Sequence, residues 1–74
     1  MFVLLLDVRY EGQSLLGVYS SLERAEEAGR AYAQRELDEH GYWSEDSSVV
    51  VERRDLDGEA RDAFFSQYEW EYRP

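Results

Sequence analysis

Ser14-Leu15-Leu16-Gly17-Val18-Tyr19-Ser20-Ser21-Leu22-Glu23-Arg24-Ala25-Glu26 is the stretch in which the apolar pattern changes period. Up to Tyr19 the apolar residues are close-set, as in a strand. From Leu22 onward they fall at Leu22, Ala25, Ala28, Gly29, Tyr32, Ala33 and Leu37. Spacings of three and four place these on one stripe of an α-helix. Ser20-Ser21-Leu22-Glu23 reads as the helix start: Ser20 caps the amide of Glu23 while Glu23 reaches back, the capping-box arrangement. Gly41 suits the left-handed residue that ends a helix. The spacing therefore predicts a helix over 21–40, roughly 30 Å long at 1.5 Å per residue. Ala28, Gly29 and Ala33 are small and let that helix sit close to a sheet.

Working outward, residues 2–10 alternate. Phe2, Leu4, Leu6, Val8 and Tyr10 share one face, and Val3 and Leu5 make the other face apolar too before Asp7 and Arg9. A strand apolar on both faces belongs in the middle of its sheet. Glu11-Gly12-Gln13 is a turn, and Ser14 to Tyr19 the second strand of a hairpin. After a loop over 42–47, Ser48-Val49-Val50-Val51-Glu52-Arg53-Arg54 is a third strand. Asp55-Leu56-Asp57-Gly58 ends it as a turn. The last stretch fits two periods: Ala60, Ala63, Phe64, Gln67 and Tyr68 are helical, Tyr68, Trp70 and Tyr72 are strand-like. We expect a short helix over 59–66 and then an extended segment. The fold class is α+β: a small antiparallel sheet from the hairpin and third strand (ββαβ), packed on one long helix, in a single domain over 1–74. The expected core is Phe2, Leu4, Leu6, Val8, Leu16, Val18, Leu22, Ala25, Gly29, Tyr32, Val49 and Val51.

The segment Gly17-Val18-Tyr19-Ser20-Ser21-Leu22-Glu23-Arg24-Ala25-Glu26 resembles a "GVYSS-x-E-x-AE" strand-to-helix segment in small uncharacterised bacterial and phage proteins of ββαβ layout. The resemblance covers residues 2–55. It implies the fold and carries no functional residue, since that family has no assigned activity.

Composition narrows function by subtraction. The chain has 74 residues, 17 acids, 8 bases and a formal net charge of −9. At this length a fold buries only about 60% of its unfolded surface. Eleven aromatics argue for a folded chain, because disordered acidic proteins are poor in them. No apolar run approaches the ~20 residues that span a membrane. The apolar start Met1 to Leu6 lacks a basic flank and reads as a strand rather than a signal peptide, so a cytoplasmic location is expected. The negative charge disfavours nucleic acid and anionic membrane as direct partners. All eight bases are Arg, and Lys, Ile and Asn are absent, which reads as GC-rich codon usage.

Catalytic chemistry finds few materials. Cys, Thr and Lys are absent, and a Ser–His arrangement must use His40, the only histidine. At a helix C-terminus the dipole favours its imidazolium, which suits a cap better than a general base. Glu36 and His40 share a helix face with Glu39 beside them, but stable zinc sites use more His or Cys, so a solvated face is expected. Asp55-Leu56-Asp57-Gly58 resembles part of a calcium loop. With Gly58 sixth, Arg53 and Phe64 fall where that loop needs acids. No glycine-rich phosphate loop occurs. The expectation is a non-enzyme with no metal or cofactor.

Two features remain. Glu23, Glu26, Glu27, Glu36, Asp38 and Glu39 give the helix an acidic face, eased by a Glu26–Arg30 pair. Tyr42, Trp43, Tyr68, Trp70 and Tyr72 supply aromatic residues of the kind favoured at interface hot spots. Together they suggest a protein-binding module whose acidic face and aromatic anchor occupy a basic, nucleic-acid-binding surface of another protein. A phage-encoded inhibitor of a host defence complex, of anti-CRISPR type, is the concrete form. The alternative is a homo-oligomeric accessory domain of a bacterial or phage operon that dimerises through an open sheet face.

Overall fold

The computed structural model describes residues 1–54 and 68–74. Strands β1 (Phe2–Val8) and β2 (Gly12–Tyr19) are followed by helix α1 (Leu22–His40), then β3 (Ser47–Arg53) and β4 (Trp70–Tyr72). The strands form one antiparallel sheet in the order β2-β1-β3-β4. With α1 packed on one face this is the α+β arrangement that the alternation and the helical stripe predict, and β1 is central. The expected extended segment at the C-terminus is a fourth strand, with Trp70 opposite Val51 and Tyr72 opposite Val49. The turn expected over 55–58 and the helix expected over 59–66 lie outside the described residues.

Helix α1 begins one residue later than the capping-box reading requires. Ser21, not Ser20, is the cap: its backbone is extended, and its hydroxyl oxygen accepts from the Arg24 amide at 3.2 Å. Arg24 then occupies the position where a capping box needs Glu or Gln. At the other end Gly41 is left-handed at φ 76°, and its amide donates to the Leu37 carbonyl at 2.8 Å.

The helix face of the sheet holds the main core. Leu4, Ala25, Ala33, Val49 and Val51 are buried, and Phe2, Leu16, Tyr19, Leu22, Ala28, Tyr32, Trp43, Trp70 and Tyr72 pack around them. Gly29 lets the helix approach. A Cβ there would lie 2.7 Å from the Trp70 ring and 3.1 Å from a Val49 methyl. The opposite face carries a second cluster, Val3, Leu5 and Val50, with Tyr68 packed against it. The Tyr68 hydroxyl accepts from the Gln13 side chain on β2 at 2.6 Å.

Val18 is not in the core. It is 51% exposed. Leu4 faces Gly17 and Leu5 faces Leu15, so Leu16 is the extra residue of a β-bulge. The bulge reverses the alternation along β2. Leu16 itself packs on the helix side, Tyr19 packs on that side after it, and Val18 turns to the opposite face beside Val3. Tyr10 also departs from expectation. Strand β1 ends at Val8, the turn spans 9–11, and Tyr10 sits there at φ 70° and 92% exposed.

Candidate functional site

Three segments distant in sequence meet at one end of the molecule. Strand β1 runs toward the hairpin turn, and β3 starts beside it, with Val8 opposite Ser47. The Arg9 amide donates to the Asp46 carbonyl at 2.8 Å. Helix α1 starts at the far end of β2 and returns, so its last turn and the loop after Gly41 arrive at the same end. A hollow of about 220 Å³ lies here. It is lined by Leu6 of β1, by Tyr32, Glu36 and His40 of α1, and by Tyr42, Trp43, Ser44 and Ser47.

The helical stripe explains why a hollow forms. Ala25, Gly29 and Ala33 are buried against the sheet. Glu36 and His40 continue the same stripe at spacings of three and four, but they are polar, and they line the opening instead of closing it. Its aromatic walls are fixed. The Trp43 indole donates to the Ser47 carbonyl at 2.8 Å, and its ring meets Tyr32 edge to face at 6.4 Å and 86°. Burial, and then the Glu36 charge, push the Tyr32 hydroxyl above its usual pKa, with Arg35 opposing. The Glu36 carboxylate stands 3.1 Å from His40 Nε2. Tyr42, 70% exposed, stands at the rim.

Acids outnumber bases at this end, where Arg9 also stands and the Arg35 guanidinium lies 6.0 Å over the Tyr32 ring. Glu36, Asp38 and Glu39 occupy the last two turns of α1, and Glu45 and Asp46 follow in the loop. The C-terminal end of a helix already carries roughly half a negative charge, so acids there disfavour the helix while deepening the negative potential. His40 is the basic residue of the last turn. Asp38 accepts from the Gln34 amide at 2.9 Å. A guanidinium or ammonium group entering here would share the Glu36 carboxylate with His40, 3.1 Å away, and meet the Trp43 ring, the Tyr32 ring already carrying Arg35. Glu36, Glu39 and His40 place ligand atoms within 4.8 Å of one another. Glu39 and His40 are exposed, so their donors are already solvated.

The six acids expected to share a face do not. At ~100° per residue, Glu36 lies on the sheet-facing stripe, while Glu23, Glu27 and Asp38 point away from it. Glu26 is half-buried on one flank, and Glu39 lies on the other. Along the axis, Glu36, Asp38 and Glu39 share the last two turns, Glu36 alone of them lining the hollow, and Glu23, Glu26 and Glu27 sit more than two turns back. The expected Glu26–Arg30 ion pair does not form, because the Arg30 guanidinium stands 5.5 Å over the Trp70 ring.

The five expected aromatic anchors also separate. Tyr42 and Trp43 belong to the hollow. Trp70 and Tyr72 stack in parallel at 5.6 Å and spend much of their surface on the helix-side core. Tyr68 lies on the other face of the sheet. There burial raises its pKa first, and the charges of Asp7, Glu52 and Glu71 add to that, against the Gln13 hydrogen bond.

Sequence reasoning missed Leu6, Tyr32, Ser44 and Ser47 as lining residues, and Tyr10 as an exposed aromatic at the same end, with Arg9 stacked 5.5 Å over its ring. The run Arg9-Tyr10-Glu11-Gly12 could have placed the turn earlier; nothing in it marks a site. Among the described residues no helix is long and apolar enough to cross a membrane. The chain matches no protein-family model, no curated protein and no solved structure in the comparisons made.

Proposed function

We propose that this chain is a non-enzymatic protein-binding module, and that the acid-rimmed hollow at the end of α1 is its recognition site. The partner is a protein with a basic surface of the kind that holds nucleic acid. A defence complex with a nucleic-acid channel is one such surface. The observation that carries this reading is Glu36 in the wall of the hollow, with Glu39 beside it at the negative end of the helix, among aromatic walls and an exposed tyrosine. Acids there oppose helix stability, so their concentration is better explained by what they attract than by what they hold together. An Arg side chain entering the hollow would meet Glu36 with Trp43 beside it, while Glu39, Glu45 and Asp46 face the surrounding basic rim. Charges at a rim chiefly set encounter rate and salt sensitivity, and a seated anchor sets lifetime.

The test is capture from a lysate by the immobilised chain, with elution by a salt gradient. A nucleic-acid-binding protein that leaves at moderate salt and that DNA or RNA displaces supports the proposal. Capture must then fail with Glu36→Arg/Glu39→Arg and survive in Glu23→Arg/Glu27→Arg, which reverses charge away from the hollow. Equal loss in both variants would assign the binding to overall charge and reject this site.

A further inference from the structure

The exposed edge of β2 has a composition unlike the rest of the surface. Gly12-Gln13-Ser14-Leu15-Leu16-Gly17-Val18-Tyr19 contains no charged residue, in a chain with 17 acids and 8 bases. Among the described residues β2 is an edge strand. Edge strands present unpaired amides and carbonyls, and soluble proteins guard them with charges, proline or bulges. Only a bulge is present here. Leu15 is 64% exposed and Val18 is 51% exposed, both on the sheet face turned away from α1.

We infer that β2 pairs antiparallel with β2 of a second copy of this chain. One argument chooses the surface and another the occupant. The first is electrostatic. Each chain carries a net charge of −9, so two copies repel at most orientations. The neutral strand is where they meet with the fewest acids opposed. The second is register. A two-fold axis sets the same surface against itself, and residues opposite each other must then lie on the same face. In an unbroken strand, Leu15 and Val18, three apart, lie on opposite faces. The bulge at Leu16 brings both to the face away from α1, and brings Ser14 and Tyr19 together on the other. A two-fold axis at the bulge therefore sets Leu15 of each copy against Val18 of the other, and Ser14 against Tyr19. The sheet becomes continuous through eight strands, and the four exposed apolar side chains lie side by side across the seam.

The contact is confined to one strand per copy, so it falls at the small end of specific interfaces and predicts weak association. Sedimentation equilibrium from about 5 to about 500 µM spans that range. The expected result is a mass rising from 8.7 kDa toward twice that value. Higher salt should raise the dimer fraction by screening the like charges, whereas it weakens capture of a basic partner. The two readings therefore fail independently. Leu15→Lys/Val18→Lys places charge on exposed positions, so its circular dichroism should match wild type while its mass stays at the monomer value throughout. A wild-type monomer at the highest concentration, or a dimer that persists in the double-lysine variant, overturns the proposal.

Discussion

The two ends of helix α1 carry the same stripe and do opposite things with it. At Ala25, Gly29 and Ala33 the stripe is small, apolar and buried, and the helix rests on Val49 and Trp70. At Glu36 and His40 the stripe is polar, the contact opens, and a hollow with aromatic walls takes its place. The first end is built for stability. The second gives up packing and adds acids where the helix dipole disfavours them. Periodicity alone marks both ends as facing inward; the change in residue type shows which end is packed and which is open.

The largest effect should come from emptying the packed end. Leu4 is 1% exposed beneath α1, and Leu4→Ala should cost about 2–5 kcal/mol. At ~0.05–0.15 kcal/mol per residue the whole fold is worth about 4–11 kcal/mol, so urea unfolding should move sharply to lower midpoint. An unchanged midpoint would deny that the helix face is the main core. Gly29→Ala tests the close approach. The gain in helix propensity is ~1 kcal/mol, and the clash with the indole and the Val49 methyl costs about 1–3 kcal/mol. The net should be a modest loss, read as a lower melting temperature. A higher one would mean that Trp70 yields easily.

At the open end the sign should reverse. Glu39→Gln removes an acid from the last turn and should stabilise the helix by ~0.3–1 kcal/mol at low salt, while weakening partner capture. A variant that loses both stability and binding would contradict the division between the ends. The smallest effect concerns pH. Tyr32 in the hollow and Tyr68 on the opposite sheet face both have raised pKa values, each chiefly through burial. Between the unfolded value of ~10 and the higher folded values, the folded chain holds more protons, so stability falls as pH rises. The contribution is intact below about pH 10 and is lost as pH climbs through the folded values. Unfolding midpoints at rising alkaline pH should fall less steeply in Tyr68→Phe than in wild type. Parallel curves would show that Tyr68 is not held in its protonated form.

The hairpin, the helix and the central place of β1 were legible because each rests on a local pattern: alternation, a stripe and a glycine stop. The inward stripe could be read through Ala33 for the same reason. Ser21 displaced Ser20 as the cap because two adjacent serines offer the same hydroxyl, and only the backbone path chooses between them. Val18 was misplaced because alternation assumes an unbroken register, and the bulge at Leu16 breaks it. Strand β4 has three residues, too few for its alternation to outweigh a helical period beside it. The site was legible as composition and not as geometry. Six acids on one helix suggested a face, yet helix rotation divides them. Leu6, Tyr32 and Ser47 join Glu36 only through the return of the chain to one end of the sheet.

The most direct test of the central claim is a two-dimensional amide NMR titration of the labelled protein with an arginine-rich peptide at low salt. The account predicts shifts concentrated at Glu36, Glu39 and Tyr42 and at the Trp43 indole, with Glu23 and Glu27 nearly still, all reversed by added salt. Shifts spread evenly over every acid, or strongest at Glu23 and Glu27, would contradict it.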